Sequence, residues 1–247
     1  MKSNNRNLII FLIALLSLIA VLLLGILIFL VCSNGDFSAF SPKSSVSAFD
    51  ESYDSKDVNT ISIDSDYGNI EFFESDDENI RVVIGKTSVD NVTVHNENGN
   101  LEVKHKGNKI SDLSFFQRNN INCDIEIYLP NKDFENITVK SSYGNVDADK
   151  ITIKQLNVDL DFGNVEIESF TGAMDVKTDC GNIEFSNVKL TDSSILNSDM
   201  GNIEIENIRN VNINGKVSMG ECKINNNDST SSVSLIAQTD MGDIDIN

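Results

Sequence analysis

Apolar and polar residues alternate at period two along most of this chain, starting near Thr60. Ile61 and Ile63, Ile70 and Phe72, Val92 and Val94, and Leu101 and Val103 each sit between polar neighbours. Ile125, Ile127 and Leu129, then Ile137 and Val139, do the same. That alternation predicts half-buried strands, and no amphipathic helical pattern appears beyond the apolar N-terminal run.

On this alternation a short phrase repeats. Asp66-Tyr67-Gly68-Asn69-Ile70-Glu71-Phe72 returns as Ser142-Tyr143-Gly144-Asn145-Val146-Asp147-Ala148 and as Asp161-Phe162-Gly163-Asn164-Val165-Glu166-Ile167. Further copies centre on Gly181-Asn182, Gly201-Asn202 and Gly242-Asp243, with a worn one at Gly220-Glu221. From Gly144 onward the glycines are 19, 18, 20, 19 and 22 residues apart. A period of this size signals units that bury their apolar faces by stacking on one another. Gly99-Asn100-Leu101-Glu102-Val103 echoes the phrase off the period.

In each copy the apolar slots are one before Gly and two and four after it. The parity of alternation skips at Gly-Asn, so the chain must turn there. Glycine supplies the backbone freedom and Asn tolerates it. The expected turns are Gly68-Asn69, Gly144-Asn145, Gly163-Asn164, Gly181-Asn182, Gly201-Asn202, Gly220 and Gly242. Tyr143, Phe162, Val165, Ile167, Ile183, Phe185, Ile203 and Ile205 are the expected core.

Two all-β folds satisfy the pattern: a parallel β-solenoid cornered at each glycine, or an antiparallel β-sandwich of Gly-Asn hairpins. Positional identity favours the solenoid. Asn145, Asn164, Asn182 and Asn202 would stack in register, where Asn side chains bond into ladders.

The N-terminal run changes the picture of location. Leu8 to Cys32 carries no charge over 25 residues. At about 1.5 Å per residue that exceeds a hydrocarbon core of about 30 Å, so it is expected to span as a helix. A signal peptide is shorter and ends at a small-residue site. A lipid-bearing Cys32 would normally follow a small residue, and Val31 is not small. Lys2 and Arg6 precede the span, which keeps residues 1–7 in the cytoplasm and exports the rest. Residues 33–57, rich in Ser and Asp, are expected as a flexible linker, and residues 58–247 as the extracytoplasmic domain.

Beyond the span stand 38 acidic and 17 basic residues, a formal charge of −21. That excludes a nucleic-acid binder. It also implies repulsion from anionic wall polymers unless divalent cations bridge them. Cys180 and Cys222 occupy apolar repeat slots and are expected as small core residues, Cys123 as a free thiol, with no structural disulfide.

The strand Ile125-Glu126-Ile127-Tyr128-Leu129-Pro130, followed by Ile137-Thr138-Val139-Lys140-Ser141-Ser142-Tyr143-Gly144-Asn145-Val146 and the later copies, resembles a bacterial family of β-strand-repeat proteins of unknown function, often labelled candidate adhesins. Several members are membrane-anchored, and some are encoded with envelope-stress regulators. The resemblance covers about Asp57 to Asn247. It implies a solenoid-like exported domain, with no activity and no catalytic residues to carry over.

Candidate chemistry is sparse. The slot three after Gly is acidic at Glu71, Asp147, Glu166, Glu184, Glu204 and Asp245; the slot two before adds Asp66, Asp161, Asp179, Asp199 and Asp240. Oxygen-rich lines of this kind can take calcium, with Asp161, Glu166, Asp179, Glu184, Asp199 and Glu204 as candidate ligands. The plainer account is a solvated acidic face. β-Helical folds also host glycan-acting enzymes, but there is no Trp here and the periodic acids lack the unequal environments of an acid–base pair. His95 is expected to face solvent, His105 ends a strand, and no Cys/His set has metal-ligand spacing.

The expected function is non-catalytic: adhesion, or binding and scaffolding at the cell envelope. A regulatory accessory of an envelope-stress sensor is the alternative, and a glycan-acting enzyme a distant one. Partners are the membrane through the N-terminal helix, and a wall polymer or a membrane-proximal protein. A second copy is also expected as a partner, docking at the C-terminal copy Asp240–Asn247, whose exposed end would carry unpaired backbone groups.

Overall fold

In a computed structural model, residues 46–86, 91–107 and 124–247 are described. The expected membrane span and its flanks, Cys123, and Phe115-Phe116, whose loop is expected from the sequence to fold over one end of the repeats, lie outside them. Among the described residues no helix is long and apolar enough to cross a membrane.

Among the described residues there are seventeen strands. They run β1 (Val46–Asp54), β2 (Thr60–Ser65), β3 (Ile70–Glu74), β4 (Asn79–Lys86), β5 (Asn91–Glu97) and β6 (Asn100–Lys106). Next come β7 (Ile125–Leu129), β8 (Phe134–Tyr143), β9 (Val146–Phe162), β10 (Val165–Cys180), β11 (Ile183–Leu190) and β12 (Ser194–Met200). The last are β13 (Ile203–Ile205), β14 (Asn212–Met219), β15 (Cys222–Ile224), β16 (Ser234–Met241) and β17 (Ile244–Ile246).

Each Gly-Asn corner joins one strand before it to one strand after it, and the two sets make two ladders. The ladder before the corners runs β5-β6-β2-β8, the second halves of β9 and β10, then β12-β16-β14. The ladder after the corners runs β1-β4-β7-β3, the first halves of β9 and β10, then β11-β13-β17-β15. Every pairing is parallel except β1–β4, β4–β7 and β5–β6, which close one end. The fold is therefore all-β and solenoid-like, and the parallel register at the corners excludes the sandwich of hairpins.

The core follows from the alternation. Val165, Ile167, Ile183, Phe185, Ile203 and Ile205 join one continuous apolar cluster. Tyr143 and Phe162 do not. They are 59% and 49% exposed, because the slot before Gly faces outward at the corner. Cys180 is half-buried in that same slot, and Cys222 is exposed on the outermost rung, where no further strand covers it.

The stacking order departs from chain order at both ends. The last copy, β16–β17, is inserted between β12–β13 and β14–β15. The first copy, β2–β3, lies between β6–β7 and the rung of β8 and β9. The chain's final strand is thus paired on both sides, and the open edge belongs to β14 and β15. This corrects the expectation that Asp240–Asn247 ends the stack. Lys216 and Lys223 lie on the edge strands, a usual protection against unwanted pairing.

One further expectation changes. β1 occupies the second half of the expected linker and pairs with β4; its Phe49 and Tyr53 pack on the core. Gly99 is not a solenoid corner. Asn98 and Gly99 both have positive φ, 52° and 80°, and close the two-residue β5–β6 hairpin.

Close approach explains glycine at the corners. A Cβ on Gly163 would lie 2.0 Å from the Gly144 carbonyl oxygen, and one on Gly181 would lie 1.9 Å from that of Gly163. The chain of contacts continues from Gly201 to Gly181, from Gly242 to Gly201 and from Gly220 to Gly242, following the spatial order. Gly181→Ala is expected to destabilise the domain by about 3 kcal/mol, since a backbone atom must move. Chemical denaturation checks this; a loss below about 1 kcal/mol would mean that the stack yields easily.

Candidate binding surface

The corner residues form five parallel rows. The first is structural. The backbone N–H of each residue after Gly donates to the side-chain oxygen of its counterpart one rung earlier. The bonds run Asn145 to Asn69 (3.1 Å), Asn164 to Asn145 (3.0 Å), Asn182 to Asn164 (2.8 Å) and Asn202 to Asn182 (3.0 Å). Asp243 N–H then donates to Asn202 at 2.9 Å, and Glu221 N–H to Asp243 at 2.8 Å. The ladder is side chain to backbone, where sequence reasoning expected side chain to side chain. Asp243 fits because its carboxylate accepts just as Asn does. Asp124 Oδ1 starts the row by accepting from Asn69 N–H at 2.9 Å.

A second row lies three residues before each Gly, beneath the corner. Thr178, Ser198 and Thr239 are buried and donate to the carbonyls of Gly163 (3.1 Å), Gly181 (3.0 Å) and Gly201 (2.9 Å). One copy holds the apolar Leu160 in this slot, which obscures its polar character in the sequence. The signal was present in Ser65, Ser141, Thr178, Ser198 and Thr239.

The third row is apolar and exposed except at half-buried Cys180. In spatial order it holds Tyr143, Phe162, Cys180, Met200, Met241 and Met219, each the register partner of the next. Tyr143 and Phe162 stack with ring centroids 5.1 Å apart and planes 4° from parallel. Met200, Met241 and Met219 are 46%, 43% and 62% exposed.

Two rows of acids run on either side of the corner. Beside the apolar ridge, Asp161, Asp179, Asp199 and Asp240 precede Phe162, Cys180, Met200 and Met241 in the chain. Asp179 is engaged by Lys177 at 2.7 Å, and Asp240 accepts from Ser218 at 3.1 Å. On the far side of the corner run Glu126, Glu71, Asp147, Glu166, Glu184, Glu204 and Asp245, in register, until Lys223 ends the row. Burial, with Asp124, Asp147 and Glu126 nearby, holds the Glu71 carboxyl above its usual range. Burial and then Glu166 and Asp124 do the same to Asp147.

The calcium candidates are dispersed between these two rows: Asp161, Asp179 and Asp199 in one, Glu166, Glu184 and Glu204 in the other. Among the described residues no group of three or more His, Cys, Asp or Glu side chains converges as a metal site. His95 is exposed on β5. His105 is buried; its Nδ1 lies 3.0 Å from Ser65 Oγ and its ring packs edge-on to Tyr67. Elsewhere, Phe73, Pro130, Lys132 and Lys150 line a shallow hollow.

Residues 58–247 match the model of the Toastrack DUF4097 family, and the chain belongs to that family. No curated protein matches it. Among solved structures it is similar to a candidate adhesin from Bacteroides fragilis at 16% identity, covering 82% of this chain and 97% of that one, with a TM-score of 0.39. It is similar also to a candidate cell adhesion protein from Clostridium sporogenes at 11% identity, covering 80% and 98%, with a TM-score of 0.38. Likeness at this level carries neither ligand nor activity across.

The raised carboxyls have a consequence for stability. An acid with a raised folded pKa keeps its proton in the folded state after the unfolded chain has lost it. Stability therefore falls as pH rises from the ordinary carboxylate range, about 4, through the raised value. Glu71→Gln is expected to raise the melting temperature at pH 7 and to flatten its decline above the ordinary carboxylate range. Thermal melts followed by circular dichroism test this. A variant that melts lower than the parent at pH 7 contradicts it.

Proposed function

We propose that this chain is a non-catalytic surface protein of the bacterial cell envelope, anchored through Leu8–Cys32 and presenting its repeat domain outside the membrane. The observation that supports this most directly is the layout of the exposed groups. Like side chains recur at one inter-strand spacing along the whole stack. Rows of that kind suit an elongated partner, whereas catalysis needs unlike groups converging on one reacting atom. The acidic rows suit a wall polymer held through divalent cations, or a basic protein near the membrane.

Co-sedimentation of the protein with isolated bacterial cell walls tests the wall-binding form. Calcium-dependent pelleting that chelator abolishes is the expected result. Absence from the pellet in both conditions removes wall binding and directs attention to a membrane-proximal protein, to be captured by in-cell crosslinking.

A further inference from the structure

The apolar ridge is unlike the rest of this acidic surface. Soluble domains rarely leave a contiguous apolar strip uncovered unless it binds something. This strip has six rungs, Tyr143, Phe162, Cys180, Met200, Met241 and Met219, each in register with the next. Its slot could hold polar residues without harm to the fold, because the slot faces outward. Three of the six are Met, whose flexible and polarisable side chain adapts to varied apolar partners.

Charge selects the occupant. Carboxylates line both flanks of the ridge, Asp161, Asp199 and Asp240 on one side and Glu166, Glu184, Glu204 and Asp245 on the other. A second copy of this chain would bring like rows together, and an anionic lipid surface would be repelled. A ligand with apolar residues along its centre and Lys or Arg along its flanks satisfies both features.

Geometry selects the ligand's conformation. Rungs recur about every 4.8 Å, so the ridge is about 24 Å long. A helix laid along the stack presents one side-chain layer per turn, about every 5.4 Å. Over five turns the mismatch accumulates to about 3 Å, which flexible Met side chains absorb. An extended strand repeats a face every 6.6 Å or so and loses register within three rungs.

We propose that the exposed corner ridge of this domain is a docking surface for a cationic amphipathic helix of a protein or peptide, lying along the stack axis. Apolar residues of the helix pack on Phe162, Met200, Met241 and Met219, and its basic flanks pair with the two carboxylate rows. This rests on the non-catalytic binding role proposed above and specifies a partner for it.

The chain contains no Trp, so a single Trp placed on a probe peptide reports the probe's own burial. The probe is a synthetic Lys/Leu amphipathic peptide of about five helical turns with one Trp on its apolar face. The receptor is the full chain in zwitterionic nanodiscs, with empty nanodiscs subtracted. The expected result is a saturable blue shift of Trp emission. Replacing Phe162, Met200 and Met241 together by Ser is expected to weaken binding at least about tenfold, with the melting temperature retained. Asp161→Asn, Asp199→Asn and Asp240→Asn combined are expected to weaken it and to reduce its salt dependence. If the Ser variant melts early, Met219→Lys on the outermost rung replaces it, with at least a threefold loss expected, an effect of about 0.7 kcal/mol.

The proposal is overturned if the probe does not bind, or if the ridge variants bind it like the parent. It is overturned also if a Lys-rich peptide without the apolar face binds equally well, which would leave charge as the whole attraction. Cell-wall pelleting is indifferent to these outcomes, so the broader role and the helix-docking ridge can fail separately.

Discussion

Between successive glycine corners from Gly68 to Gly220, a glycine carbonyl lies so close to the glycine on the next rung that a methyl group there would overlap the oxygen. Glycine lets the inter-strand spacing of the two ladders continue through the turn, and the rest of the corner is built around it. The backbone N–H that follows each glycine is capped by an Asn or Asp side chain of the preceding rung. Several of the crowded carbonyls receive a buried hydroxyl from below. Because the chain bends at this point, the side chain before Gly is turned out, and the side chains two and four residues after it are turned in. The same geometry thus produces both the apolar core and the exposed apolar ridge.

A simple stack frays from its terminal units, since each contacts a single neighbour. Here the first and last copies of the repeat in the chain are each held one rung inside the stack. β2 and β3 lie beneath β6 and β7, and β16 and β17 lie beneath β14 and β15. The outer rungs are then tethered at both ends by chain that belongs to the interior. Antiparallel β1, β4 and β5 close one end, while Lys-bearing strands guard the other. The acidic rows discourage lateral association along the sides.

Much of the design was legible in the sequence because it is local. The period placed the corners, and the alternation placed Val165, Ile167, Ile183, Phe185, Ile203 and Ile205 in the core. What failed depended on the corner itself. Tyr143 and Phe162 were assigned inward from their apolar character, yet a residue adjacent to a turn no longer obeys strand parity. The inserted copies were invisible to spacing, because nearest-neighbour order is a long-range property. One clue was available: Asp124-Ile125-Glu126-Ile127 matches Asp243-Ile244-Asp245-Ile246 and marks β7 as a copy lacking its glycine. β1 was hidden by Ser and Asp around Phe49 and Tyr53. For the surface, the acidic rows were legible residue by residue, but the ridge between them needed the outward turn of the preceding slot.

The order of rungs is the most direct measure of whether the corners stack as described. Two double variants suffice, in a background with the native cysteines replaced by Ser: Met200→Cys with Met241→Cys, and Met200→Cys with Met219→Cys. A thiol crosslinker spanning one inter-strand distance, about 4.8 Å, should join the first pair efficiently and leave the second unlinked, since Met241 lies between. Efficient linkage of Met200→Cys to Met219→Cys with none to Met241→Cys would show rungs stacked in chain order and would contradict the account.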